Sequence, residues 1–235
     1  MKVNKWLVIV LFCLIMPLSV MAADDYSCGD YYNGKCHYNS NKAVEYANKM
    51  INNKKTWNIY FPSYRGYGGD CTNFVSQCIL AGLVGSSSPR DLYKKSGNFH
   101  ADLSGCNYCW YFKRPRKLSY AWKGAHELYT YAIENRPEYK GLHFQFITKD
   151  SPRTSLSFRK IRKGDIIFAD WEGDSEIDHT MIVTNKTRNW YNGVRVTYEN
   201  GGEYSTRKNI RLIDINNRKT VFHVYRPIYY TDFGY

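Results

Sequence analysis

The segment Gly68-Gly69-Asp70-Cys71-Thr72-Asn73-Phe74-Val75-Ser76-Gln77 constrains this chain more than any other. Apolar residues recur at Phe74, Val75, Cys78, Ile79 and Leu83, the three-and-four spacing of an amphipathic helix with one buried face. Asp70 suits an N-cap or first-turn position, and the glycines before it allow a tight approach. Cys71 therefore enters the first turn, where the partial positive charge of a helix N-terminus favours thiolate over thiol. A thiolate is a good nucleophile, so the segment suits covalent catalysis. The same spacing also suits a buried core or disulfide cysteine, and spacing by itself leaves both readings open.

Such a nucleophile must stay reduced, so the compartment matters. Lys2 and Lys5 precede an apolar run from Trp6 to about Val20, followed by Met21-Ala22-Ala23 and then Asp24-Asp25. A positive start, a short apolar stretch and small closing residues describe a secretory signal peptide. We place cleavage after Ala22, with Ala23 as the alternative. The expected layout is residues 1–22 as signal peptide, 23–38 as an N-terminal extension and 39–235 as the main domain. No later stretch is apolar enough to cross a bilayer, so the mature chain is expected to be secreted or periplasmic.

Export makes disulfides permissible. Cys28 and Cys36 flank an Asn33-Gly34 turn signal and read as a disulfide closing a small loop. Cys106 and Cys109 form a Cys-x-x-Cys pair. With His100 it offers a fragment of a zinc site, but no second pair completes one, so a local disulfide or two free thiols fits better. Cys78 shares the helical face of Cys71 and reads as a small core residue. With Cys71 reduced, Cys28, Cys36, Cys78, Cys106 and Cys109 leave at least one further thiol unpaired. Cys13 falls inside the signal peptide. No metal or organic cofactor is expected.

The formal charge of +12 is dispersed along the chain, and tyrosine is abundant at 22 residues. A dispersed basic surface favours polyanionic surroundings: nucleic acid, anionic envelope polymers or an acidic membrane face. No paired zinc-finger spacing or RNA-binding aromatic motif is present, so no nucleic-acid partner is expected.

The order of elements completes the fold class. Asn41–Met50 reads as a helix, with Ala43, Val44, Tyr46, Ala47 and Met50 at the apolar positions. A connecting region runs from Gly85 to about Leu118 and carries the aromatic cluster Tyr108, Trp110, Tyr111 and Phe112. Ser119-Tyr120-Ala121-Trp122 opens a helix to about Asn135, and strand signals take over from Leu142. Ile161–Ala169 reads as a turn feeding a buried strand, and His179–Thr184 as a second strand. Asn192-Gly193 is a turn before a third strand, Val194–Glu199, and Val221–Arg226 is a fourth. Helices first and an antiparallel sheet afterwards describe an α+β fold.

A cysteine nucleophile needs a base, and His179 is the best placed of the six histidines. It opens a strand after the acidic loop Trp171–Asp178, a rigid place from which imidazole reaches a thiol. Glu199 and Asn200 end the neighbouring strand, and by strand alternation one of them faces His179 to fix its tautomer. Glu199 is preferred, with Asn200 the alternative.

These residues resemble a known family. Asp70-Cys71-Thr72-Asn73-Phe74-Val75-Ser76-Gln77 closely resembles the signature of the bacterial putative amidase domain family, a branch of the papain-like cysteine hydrolases. Asn41–Ala47 resembles its opening helix, and Trp110-Tyr111 and Ser119–Trp122 resemble its central tryptophan motifs. Lys163-Gly164-Asp165-Ile166-Ile167 and His179–Val183 resemble its Gly-Asp strand and catalytic histidine strand. The similarity spans roughly Asn39 to Arg226. It implies a papain-like fold, with the nucleophile at a helix N-terminus packed on an antiparallel sheet or half-barrel. It also implies cysteine-dependent cleavage of amide bonds, as in the related CHAP and NlpC-type hydrolases of peptidoglycan. The family often carries a histidine-containing segment near Tyr198–Gly201, where this chain has Glu199 and Asn200. The Cys-x-x-Cys before Trp110 has no counterpart in the pattern.

The substrate implied is peptidoglycan or another anionic envelope polymer, on whose sugars aromatic faces can pack. The same residues also suit a papain-like protease or effector acting on protein, or a wall-binding module without activity.

Overall fold

The computed structural model describes residues 28–52, 59–64, 70–99, 109–113, 117–134, 141–151, 157–187, 193–199, 207–215 and 217–231. The segment expected to be a signal peptide, with Cys13, and Gly68, Gly69, His100, Cys106, Tyr108, Asn135, Asn192 and Asn200, lie outside them. Among the described residues no helix is long and apolar enough to cross a membrane.

Asn33 and Gly34 both take positive φ, 50° and 72°, and turn β1 (Tyr31–Tyr32) back onto β2 (Lys35–His37). The expected Cys28–Cys36 disulfide closes this hairpin. Cys109 is also disulfide-bonded, to a partner outside the described residues, whereas Cys71 and Cys78 are free.

The first helix, α1 (Ser40–Asn52), packs on α2 (Cys71–Val84). Gly85 ends α2 in the left-handed conformation (φ 70°), its N–H returning to Ala81 O. The periodicity of α2 predicts one buried face, but every residue from Thr72 to Val84 is buried. A helix enclosed all round must satisfy its polar side chains internally, and α2 does so for Asn73, Ser76 and Gln77 Oε1 through partners far away in sequence. Buried Gln77 Nε2 has none among the described residues. Ser76 Oγ accepts from Trp110 Nε1 and donates to Trp122 O, both at 2.9 Å, and Tyr46 OH donates to Gln77 Oε1 at 2.5 Å. The polar residues of the motif are thus bolts between α2 and its surroundings.

The region after α2 is more ordered than a connector. Ser88 caps α3 (Pro89–Lys95) by accepting from Asp91 N, with Pro89 in its first turn, a helix start legible in Ser-Pro-x-Asp. A hairpin of β3 (Phe112–Lys113) and β4 (Lys117–Leu118) follows. The single helix expected from Ser119 is two, α4 (Tyr120–Lys123) and α5 (Ala125–Ile133), because Gly124 takes an extended conformation between them.

The rest is antiparallel sheet: β5 (Gly141–Asp150), β6 (Ile166–Asp170), β7 (His179–Lys186), β8 (Val194–Tyr198), β9 (Arg207–Arg211) and β10 (Val221–Thr231). β10 is its spine. It pairs with β5 along one edge, and along the other with β6 through Val221–Tyr225 and β2 through Tyr229–Thr231. β7, β8 and β9 continue the sheet beyond β6. Sequence patterning misses β9, whose run Arg-Lys-Asn-Ile-Arg has no apolar alternation, and the extension of β10 past Arg226 through Pro227.

Both sheet faces are covered. Ile166, Phe168 and Ile182 pack with the helices around Trp110 and Trp122. Ile167, Ala169, Met181, Val183 and Val196 join Phe158, Ile161 and Leu212 on the other face. That is why β6 and β7 read as continuous apolar runs. The fold is α+β, helices packed on an antiparallel sheet.

The Gly-Asp motif before β6 is structural. Gly164 has φ +85°, and a Cβ there would meet Ser40 Cβ at 2.5 Å. Asp165 is fully buried, accepting from Arg162 N at 2.7 Å and from Arg226 Nε and an Arg226 terminal nitrogen at 2.7 and 2.9 Å. This fork ties β10 to the entry of β6. Burial nonetheless holds the Asp165 carboxyl above its usual range, against the opposing pull of Arg226.

Candidate active site

Asp70 occupies the N-cap position of α2, but its carboxylate caps no α2 amide. Oδ1 instead accepts from Asn73 Nδ2 at 2.7 Å, and Oδ2 from Ser63 Oγ at 3.4 Å. Asn73 also donates to Pro62 O at 2.7 Å, and its Oδ1 accepts from Trp122 Nε1 at 2.8 Å. One asparagine therefore links the turn before Cys71, the segment at Pro62 and the tryptophan of α4. Asn73→Ala leaves the buried Trp122 indole N–H without its acceptor and removes one donor from the Asp70 carboxylate, an expected loss of about 3 kcal/mol. Thermal unfolding of the purified variant checks this, with Tm lowered by roughly 6–12 °C for a chain of this size.

Cys71 is the first residue of α2, and the structure brings it to His179, the first residue of β7. Burial pushes the thiol pKa up. The hydrogen bond and positive charge of His179 outweigh it, helped by the Thr72 hydroxyl and the Thr180 N–H, and the net value falls from 9.0 to about 6. Cys71 is thus a thiolate near neutrality. Thr180, one residue beyond His179, joins Thr72 hydroxyl to hydroxyl at 3.1 Å and locks β7 to the first turn of α2. The thiolate owes its low pKa chiefly to these side-chain and strand contacts, where the sequence pointed to the helix end.

The His179 ring is held between aromatics. Trp171 stacks on it with centroids 6.0 Å apart, and Tyr198 meets it edge-on at 5.0 Å. Trp171 is placed by the acidic loop, and the loop by two aspartates. Buried Asp170 accepts from the N–H groups of Gly173, Asp174 and Ser175 at 2.6, 3.2 and 2.9 Å. Asp178 Oδ2 accepts from Trp171 N at 2.8 Å. Sequence reading missed Asp170; an aspartate closing a strand before a Gly-Asp-Ser loop is the Asx-turn signal that marks it. Asp170→Ala is expected to release the loop and cost about 1–3 kcal/mol from the stranded amides. Faster hydrogen exchange confined to residues 171–178 checks it.

Of the third-residue candidates, Glu199 follows β8 and is 1% exposed, while Asn200 lies outside the described residues. His179 Nε2 is buried and has no hydrogen-bond partner among the described residues. Among the described histidines, His179 alone acts on the Cys71 thiol. His223 pairs with Tyr129 OH at 2.9 Å, and burial lowers its pKa to about 4. No group of three or more metal-ligating side chains occurs among the described residues.

The whole arrangement, from the hairpin at His37 to β10 at Tyr225, coincides with a match to the family model described as "Putative amidase domain", over residues 37–225. The chain belongs to this family. The uncharacterized protein YhbB of Bacillus subtilis (strain 168) is similar to it, 27% identical over 183 residues, which cover 77% of this chain and 49% of the relative. The chain thus spans about half the length of the curated relative that it matches. No solved structure matches it. The family description points to hydrolysis of amide bonds as the class of chemistry.

Proposed function

We propose that this member of the amidase family is an exported, papain-like cysteine amidase that hydrolyses amide bonds of peptidoglycan. The observation that carries the reading is Cys71 at the first residue of α2, with the start of β7 locked beside it by the 3.1 Å Thr72–Thr180 contact. Against burial, His179 there helps to lower the thiol pKa to about 6. Such a thiolate is populated at neutral pH and adjoins an imidazole able to move a proton.

Cys71 Sγ attacks the amide carbonyl carbon, and the oxyanion is received by the backbone N–H of Cys71 with one further donor. The C–N bond breaks as His179 protonates the departing amine, leaving a thioester. His179 then takes a proton from water, whose oxygen attacks the thioester and returns Cys71 to its thiolate. Buried Glu199 is the candidate to steady His179 while it is charged, with Asn200 as the alternative orienting group. The leader-like N-terminus and the Cys28–Cys36 disulfide support export, and the charge of +12 supports an anionic polymer as substrate.

The test is incubation of the mature protein and its Cys71→Ala variant with purified peptidoglycan, with mass spectrometry of the released fragments. Fragments from wild type alone establish the activity, and their masses name the bond. No fragments from a folded, reduced protein overturn the wall substrate and turn the search to protein amides.

A further inference from the structure

Two strands of chain meet beside the first turn of α2, and each is anchored to it. Ser63 donates to Asp70 at 3.4 Å and Trp122 donates to Asn73 at 2.8 Å. Tyr64 and Lys123 are the next residue in each case. Tyr64 lies near enough to the Asp70 carboxylate before Cys71 for that charge to add to burial in raising its hydroxyl pKa. The Lys123 ammonium lies over two tyrosine rings, 5.5 Å from the centroid of Tyr64 and 5.0 Å from that of Tyr120. Lys123 is exposed, Tyr120 is 56% exposed, and among the described residues no carboxylate pairs with the ammonium.

Free lysine side chains are mobile, and ordering one on binding costs conformational entropy. Two aromatic faces hold this one in place through cation–π attraction, so much of that cost is met before a ligand arrives. An ammonium has three donors and no acceptor, and none of its donors is taken up by an acid here. The ring faces already carry the lysine, so the surface presents a fixed positive charge rather than a bare stacking platform.

We infer that Lys123, held against Tyr64 and Tyr120, is a specificity residue that binds a carboxylate of the substrate close to the amide attacked by Cys71. This rests on the cysteine amidase reading above. It deepens that reading by requiring a free carboxylate beside the cleaved bond.

The test compares untreated sacculi with sacculi whose free carboxyl groups have been converted to amides by carbodiimide and ammonia. Wild type is expected to cleave the untreated form roughly tenfold better, the worth of one charge-assisted contact. The preference is expected to appear in the half-saturating sacculus concentration rather than in the maximal rate. Lys123→Met removes the preference, Lys123→Arg keeps most of it, and Lys160→Met, an exposed lysine elsewhere, leaves it intact. The same comparison is made by co-sedimentation in the Cys71→Ala background, where turnover plays no part. If wild type cleaves neither form, loss of binding preference on adding Lys123→Met still upholds the carboxylate site, while the wall-amidase reading falls. If Lys123→Met retains the preference of its parent, or no preference exists in either assay, the carboxylate site is overturned.

Discussion

In the His179→Ala protein, the midpoint for alkylation of Cys71 by iodoacetamide moves from about 6 to above 9.0. The direction follows from the opposing forces on the thiol. Burial raises its pKa, and in the wild type the hydrogen bond and charge of His179 overcome burial, with smaller help from Thr72 and Thr180. Removing the imidazole leaves burial with only the small contributions. The wild-type alkylation rate is expected to rise with pH through about 6, where the thiol ionises, and then to level off. Background from other cysteines is low: Cys78 is buried with its thiol held well above the ordinary value, and Cys28, Cys36 and Cys109 are in disulfides. Cys71→Ser supplies the blank. Amide hydrolysis by His179→Ala is expected to fall by about 10³-fold or more, since the same residue activates the nucleophile and protonates the leaving amine. An unchanged midpoint in His179→Ala means that the imidazole does not control the thiol, and the proposed pairing fails.

Arg226→Met is expected to destabilise the fold by about 3–5 kcal/mol without touching the site. Asp165 is fully buried and takes two hydrogen bonds from the Arg226 guanidinium, so removing that partner strands a carboxylate in the core. The guanidinium also donates to Lys160 O at 3.1 Å, which widens the damage to the turn before β6. The pH dependence has a definite sign. The Asp165 carboxyl is held above its usual range in the folded chain even with Arg226 present. Without Arg226 it rises further, so the folded state holds its proton more tightly than the unfolded state does. Stability of Arg226→Met therefore improves on acidification and worsens as pH rises through the raised carboxyl value. Urea unfolding of both proteins at several pH values measures the gap, which is expected to narrow toward acid. A constant gap would show that charge burial is not the cause. Asp165→Asn combined with Arg226→Met is expected to recover much of the loss, because no buried charge is left.

The helical signal around Cys71, the strand at His179, the alternation from Val194 to Tyr198 and the disulfide at the Asn33-Gly34 turn were all legible in the sequence, because each depends on neighbours a few residues away. Local chemistry also exposed the turn at Gly164, whereas the helix that starts at Ser88-Pro89 falls within what reads as a connecting region. What else escaped was set by distant contacts. The periodicity of α2 shows one apolar face, yet Asn73, Ser76 and Gln77 are buried because Trp122, Trp110 and Tyr46 arrive to bond them. β9 has no apolar alternation and exists because β8 offers it an edge. Asp170 is a strand residue by pattern, and its work on the Trp171 loop appears only where three amides turn toward it.

The candidate site divides in the same way. The residue types and their chain order, cysteine at a helix start and histidine at a strand start, are properties of the sequence, since short-range periodicity places both. That the two side chains meet, that Trp171 and Tyr198 clasp the imidazole, and that the thiol ends near 6 despite burial are decided by tertiary structure alone. A pKa is the balance of desolvation against specific partners, and neither side of that balance exists until α2 and β7 are packed together.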